Sequence, residues 1–269
     1  MEHFEGELMK LTLPKEKLLD ALDTIQVKGK YLTSSGLKTE TLGDCVQIVS
    51  LPPSESPFKT GWMFYNGNDQ TYVEHWVVGL PDKKEEVVLE INRLKKYISR
   101  MSGNITLNIN DVCEIISGNN RATIPIVVVH PNLTAISRLE KLTSKISYGE
   151  LDSEINFGKS VKYKNGFSIY GSKLKKVITN CETVGHGKYC FEIKDNKVII
   201  SSSKLNESYF ETFDDMDIKG KNVKIYFTSP IHQPFTNADK INIYFNEESP
   251  IVMVSNNTLL IRAPYVETD

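Results

Sequence analysis

Basic side chains recur at matched positions in three short segments of this chain. They are Lys15 and Lys17 in the first, Arg93, Lys95, Lys96 and Arg100 in the second, and Lys173, Lys175 and Lys176 in the third. Ammonium and guanidinium groups neutralise phosphates without reading what the phosphates carry. Their chemistry is a salt-sensitive, positional attraction for a polyanion. The apolar residues between them show which elements must hold them. Leu94-Lys95-Lys96-Tyr97-Ile98 and Leu174-Lys175-Lys176-Val177-Ile178 nearly repeat each other, and they continue to Met101 and Cys181. Apolar positions at i, i+3, i+4 and i+7 form the stripe of an amphipathic helix, which leaves the lysines on its other side.

The same spacing occurs at Leu18, Ala21, Leu22 and Ile25, behind a Pro14 that suits a helix start. A fourth instance keeps Ile231, Phe235 and Ala238, with Pro234 in the remaining position. Proline lacks an N–H, so this helix is expected to be short or irregular. Lys17, Arg93 and Lys173 stand just before the first apolar residue of their stripes. Lys95 and Lys175 come just after it, followed by Lys96 and Lys176. The four helical segments carry a net charge of +4 and the rest of the chain −6, within a total of −2. Lysines decorate many solvated helix faces. Matched placement on three helices of an otherwise acidic chain points instead to function. No zinc finger, recognition helix or aromatic stacking platform adds base readout.

Between the helices, β-branched and aromatic runs predict strands at 46–51, 105–109, 113–116, 123–129, 189–193, 197–201, 223–227, 241–245, 251–254 and 259–261. Turn signals such as Asp195-Asn196 and Gly118-Asn119-Asn120 separate them. The alternation is mostly of period two, as in antiparallel sheets with one buried face. The class is therefore α+β, with two similar halves at 1–129 and 166–269. The polar stretch 130–165 between them reads as a connector, with Leu133, Ile136, Leu139, Leu142 and Ile146 near helical spacing.

Composition excludes several classes. At 269 residues, 40% hydrophobic and 25% charged, the chain matches an ordinary globular protein with a sizeable core. No apolar run is long enough to span a bilayer, and the N-terminus has no secretory pattern. Cys45, Cys113, Cys181 and Cys190 are scattered without a CxxC pair, which suits buried thiols in a reducing, intracellular setting. Asp214, Asp215 and Asp217 form an acidic loop without a second cluster to complete a metal site. Cys181, His186 and Cys190 lack both ligand spacing and a fourth member. No phosphate-binding glycine loop or nucleophile elbow is present. The chain is read as a non-enzyme without cofactor or metal. A small-molecule enzyme on mixed sheets is the remote alternative.

The order of these segments resembles the DNA polymerase sliding clamps of the proliferating-cell nuclear antigen family. The resemblance is carried by Ser249-Pro250-Ile251-Val252, Leu260-Ile261-Arg262-Ala263-Pro264 and the acidic end Glu267–Asp269. Ser34-Ser35-Gly36-Leu37, 94–99, Thr123-Ile124-Pro125-Ile126 and 167–178 add to it. It implies two domains, each of two βαβββ-type units, with helices lining a ring and sheets outside. It implies a homotrimer around double-stranded DNA, bound without sequence specificity through the basic residues above. The ring would be placed by a clamp loader and would tether a DNA polymerase and other replication or repair enzymes. A subunit of a heteromeric clamp, or a monomeric viral-type processivity factor, would share the fold. The compartment would be the nucleus in a eukaryote, or the cytoplasm or nucleoid otherwise.

By the same resemblance, partner peptides enter a pocket at Leu42, Pro250, Ile261, Ala263 and Pro264. Ile261 stands where the family commonly has an aromatic residue, and the final helix offers only His232 and the flanking Lys240 as basic groups. Subunits would join through edge strands, here Val112, Cys113, Glu114, Ile115 and Ile116 of one half with Tyr189, Cys190, Phe191, Glu192 and Ile193 of the other.

Overall fold

Three helices form where the apolar spacing predicts them: α1 at Lys15–Ile25, α2 at Ile91–Ile98 and α3 at Gly171–Cys181. The computed structural model describes residues 9–26, 28–33, 36–41, 44–54, 60–68, 70–127, 151, 155–157, 161–184, 188–228 and 231–265. Contacts divide the chain into two units. The first comprises Met1–Gln26, Gly43–Asn66 and Glu74–Leu133, and the second comprises Val27–Leu42, Gly67–Val73 and Thr134–Asp269. The twenty-one strands among the described residues are labelled β1 to β21 in chain order.

In the first unit, β1 (Met9–Pro14), β8 (Asn104–Ile109), β9 (Val112–Ser117) and β10 (Asn120–Pro125) form an antiparallel sheet in the order β1-β8-β9-β10. Its strands alternate as expected for one buried face. Leu11, Ile105, Leu107, Ile109, Cys113 and Ile115 are all fully buried. Leu18, Ala21, Leu22 and Ile25 of α1 and Ile91, Leu94 and Ile98 of α2 are buried too. Each of these leucines and isoleucines contributes about 1.5–3 kcal/mol on leaving water. A second layer contains β4 (Cys45–Leu51), β5 (Gly61–Gly67) and β7 (Glu86–Glu90), with β4 paired to both β5 and β7; β6 (Thr71–Val78) contributes Glu74–Val78 to this unit and Thr71–Val73 to the second. Every residue of β5 is buried, as is all of β6 up to Val77.

In the second unit, β13 (Gly166–Ile169), β17 (Ile218–Lys219), β19 (Ile241–Tyr244), β20 (Ile251–Val254) and β21 (Thr258–Arg262) run in the order β17-β13-β19-β20-β21. A second sheet holds β14 (Lys188–Lys194), β15 (Lys197–Lys204), β16 (Glu207–Phe213) and β18 (Val223–Phe227) in the order β16-β15-β14-β18. Helix α3 packs on β15 and β16, and Asn180 donates to the Tyr209 hydroxyl at 3.0 Å. Phe167, Phe191, Phe227 and Phe245 pack their rings together; Phe167 and Phe191 meet edge to face at 5.5 Å between centroids. Two hairpins complete the set, β2 (Lys28–Thr33) with β3 (Gly36–Thr41) and β11 (Ile155–Phe157) with β12 (Val161–Tyr163).

The fourth helical pattern is reduced to a single 3₁₀ turn at Gln233–Phe235. Pro234 prevents a longer run, while Ile231 and Phe235 are each 1% exposed and so still fill the core. Gly171 allows this turn to lie against the start of α3. A Cβ there would stand 2.3 Å from the Phe235 carbonyl oxygen, and the Gly171 N–H donates to the Ala238 carbonyl.

Two expectations are corrected at this level. Val112, Cys113, Glu114, Ile115 and Ile116 belong to β9, which is flanked by β8 and β10. Tyr189, Cys190, Phe191, Glu192 and Ile193 belong to β14, which lies between β15 and β18. Neither strand has a free edge. Each is paired along both sides, β9 with β8 and, from Val112 to Ser117, with β10, and β14 from Tyr189 to Ile193 with both β15 and β18, so its backbone groups are already taken. The borders are β1 and β10 in one sheet, and β16 and β18 in the other. The strand expected to run to 129 ends at Pro125, and the Val127 N–H turns to the Val88 carbonyl. Most of the connector lies outside the described residues, the 133–146 pattern included.

Candidate nucleic-acid interface

The basic residues divide by what their side chains touch. In α1, the Lys15 ammonium donates to the Ser99 and Met101 carbonyls, both at 2.8 Å, closing the C-terminal end of α2. Those carbonyls lack helical partners and sit at the negative end of the helix dipole, so a cation suits them. Lys95 of α2 is half-buried between the helices. It pairs with Asp23 and donates to Gln26 at 3.1 Å, while Gln26 donates to Asn92. Both lysines help hold α1 against α2. Replacing Lys15 with methionine should lower stability by about 1 kcal/mol, the usual worth of such hydrogen bonds. Chemical denaturation against the parent protein checks this, with Lys17→Met as the neutral control.

Arg93 pairs with Glu90 at 2.6 Å, and Lys96 lies over its neighbour Tyr97 with the ammonium 5.5 Å from the ring centre. Both remain exposed. Lys17, Arg100, Lys175 and Lys176 are exposed and make no side-chain ion pair or hydrogen bond among the described residues. Lys173 reaches Asp215 at 3.4 Å. In each unit, then, solvated cations remain on the helix side facing away from the sheet. They are Lys17, Lys96 and Arg100 in the first unit, and Lys175 and Lys176 in the second.

The last segment adds no charge there. His232 is 9% exposed, and its burial, with the Lys175 charge as a lesser cause, pulls its pKa down to about 4. The imidazole is therefore neutral at ordinary pH. Lys240 is paired with Asp217 at 2.8 Å.

The acidic loop is also engaged. Asp214, Asp215 and Asp217 pair with Lys197, Lys173 and Lys240 respectively, so each carboxylate has a lysine where a metal site would need a cation. No group of three or more His, Cys, Asp or Glu suited to a metal occurs among the described residues. Burial pushes the Cys113 and Cys181 thiols up to about 12 and Cys190 to about 11, which keeps them protonated and unreactive. No described helix is long and apolar enough to cross a membrane.

Of the expected peptide pocket, Leu42 lies outside the described residues. Pro250 and Ala263 flank the Ile251–Arg262 pair at the matching ends of β20 and β21. Pro264 follows, half-exposed, while Ile261 is 5% exposed and belongs to the core. The Tyr163 hydroxyl donates to the Pro250 carbonyl at 2.6 Å, fixing that corner. One residue gave no warning in the sequence. Arg262 is 1% exposed and donates to the Thr71 and Thr228 hydroxyls, where a strand-end arginine would ordinarily reach water.

No protein-family model matches the sequence, and no curated protein does. Solved structures do. Proliferating cellular nuclear antigen from Entamoeba histolytica superposes with a TM-score of 0.65 at 10% identity, covering 97% of this chain and 100% of that one. The DNA polymerase sliding clamp from Pseudomonas aeruginosa gives 0.68 at 8% identity, over 97% of this chain and 68% of its own. A putative DNA polymerase III beta subunit from Eubacterium rectale gives 0.66 at 14% identity, over 97% of this chain and 66% of its own. This chain thus spans about two thirds of those bacterial chains and the full length of the Entamoeba protein. At such identities the likeness is one of architecture, and the chain has the fold of the DNA polymerase sliding clamps.

Proposed function

We propose that the protein is itself a sliding clamp, a non-enzymatic ring of three identical subunits that encircles duplex DNA and tethers a DNA polymerase. One observation supports this above the others. A clamp fold carries solvated cations on its helices in both units, while the chain outside the helical segments is net negative. Phosphate contacts through lysine and arginine are sequence-independent, which suits a protein that must slide. Loading by a clamp loader, and a place wherever the cell replicates its DNA, belong to the same reading. So does division of the chain at the connector into domains 1–129 and 166–269. Pro250, Ala263 and Pro264 would receive partner peptides.

Subunit closure in this reading uses the border strands β10 and β16. The border of β18 is partly occupied already, since the Tyr265 N–H donates to the Tyr226 carbonyl at 2.8 Å. Unpaired strand borders invite pairing with another chain, and rotational symmetry turns such pairing into a closed ring. Sedimentation velocity at micromolar concentration tests the ring, with a trimer expected. Retention on circular duplex DNA, and loss when the circle is cut, tests encirclement. A strict monomer at every concentration that never stays on circles would sink the proposal. Assembly only after mixing with other subunits would replace the homotrimer by a heteromeric clamp.

A further inference from the structure

The sheet β16-β15-β14-β18 turns one face to α3 and its own core. Its other face carries a charge opposite to that of the chain outside the helices. The strand register aligns Glu192 with Lys224, Cys190 with Tyr226, and Lys194 with Lys197. Successive residues alternate between faces, so Lys188, Lys194, Lys197 and Lys224 share the outer face with the small side chains Ser201 and Cys190. Glu192 is the one carboxylate that these strands add to it; Asp214 from the adjoining loop engages Lys197. Lys188 places its ammonium 4.8 Å from the Tyr265 ring centre and 6.0 Å from that of Tyr226. Lys224 lies 4.8 Å from the centre of the Tyr226 ring. Tyr265 is tied to this place by its N–H bond to Tyr226.

We propose that this aromatic and basic face, centred on Lys188, Lys224, Tyr226 and Tyr265, docks an acidic peptide segment of a partner protein. Its carboxylates would meet Lys188, Lys194 and Lys224, and its apolar groups would lie against the two tyrosine rings. Charge complementarity of this kind raises the encounter rate and selects the partner by sign. Nucleic acid fits less well for two reasons. Ammonium groups already occupy positions over both rings, so bases could stack only by displacing them. The patch is also compact, crossing three strands at about 4.8 Å spacing with Glu192 inside it, and offers no continuous track for phosphates. The surface lies apart from the helix lysines and requires neither a ring nor DNA.

The test uses the full chain and a short fluorescein-labelled synthetic peptide, alternating Asp and Glu around one Phe. Its controls are the same peptide with Lys for every acid, and single-stranded oligo-dT of matching charge. Fluorescence anisotropy should show salt-sensitive binding of the acidic peptide and none of the basic one. K188E/K224E should weaken binding by about tenfold or more, as expected for reversing two contacting charges. K175E/K176E should leave peptide binding unchanged. If K188E/K224E does not fold, as judged by circular dichroism, Lys194→Glu gives the same reading from an exposed position. The proposal is overturned if the acidic peptide does not bind, if folded variants bind it like the parent, or if oligo-dT binds this face more tightly.

Discussion

The K175E/K176E variant should lose most of its attraction for duplex DNA while keeping its melting temperature. Both lysines are exposed on α3, and neither side chain has an ion pair or hydrogen bond among the described residues. Their removal therefore leaves no buried group unsatisfied, and surface changes of this type usually stay within about 0.5 kcal/mol. On DNA the effect is larger. Each lost phosphate contact lowers the slope of log affinity against log salt by about one. Reversing the sign adds repulsion at the same place. Anisotropy titrations on a labelled duplex at several salt concentrations measure this, with unfolding curves alongside. An unchanged salt slope in a folded variant would remove these lysines from any DNA path. The Lys15→Met protein provides the contrast, since its cost should fall on stability first.

Phe191→Ala should cost about 3–5 kcal/mol, a large part of the roughly 5–15 kcal/mol that holds most proteins folded. Phe191 is fully buried and is the ring common to three contacts, with Phe167, Phe227 and Phe245. Truncation would leave a cavity whose walls belong to two different sheets of the second unit, so collapse from one side cannot fill it. Denaturant titration followed by circular dichroism reads the loss. A cost below about 1 kcal/mol would mean that the aromatic cluster repacks and is not the anchor of this unit. Phe191→Leu, which keeps most of the volume, should recover the greater part of the lost stability.

The helices were legible because their stripes are narrow and their outer faces charged. The strands β8, β9, β15 and β18 were legible because one face is buried and the other wet. Strands β5 and β6 were not. Trp62-Met63-Phe64-Tyr65 and Tyr72-Val73-Glu74-His75-Trp76 are buried on both faces, so no alternation survives, and polar members such as Glu74 and His75 disguise them further. Strand β16 was missed for the opposite reason. Glu207-Ser208-Tyr209-Phe210 is largely exposed, as a border strand can be, and its apolar signal is weak. The strands expected at subunit borders came from the family resemblance, which gives chain order only; a border is found from which strands pair, and β9 and β14 are each paired on both sides. Among the helix lysines, sequence gave position but not partner. Nothing at Lys15 or Lys95 distinguishes them from Lys17 or Lys96 until the facing carbonyls and Asp23 are in view.

The pairing of β1 with β8 has a temporal consequence. Met9 meets Ile109 and Pro14 meets Asn104, so β1 must wait for synthesis to pass residue 104 before its partner strand exists. Arg262 waits in the reverse sense, reaching back 191 residues to Thr71. Contacts of such sequence separation are slow to form, and an unpaired early strand is open to wrong partners meanwhile. Folding of the nascent chain should therefore be late and abrupt rather than gradual. Premature termination before residue 104 would release a β1 with no native neighbour.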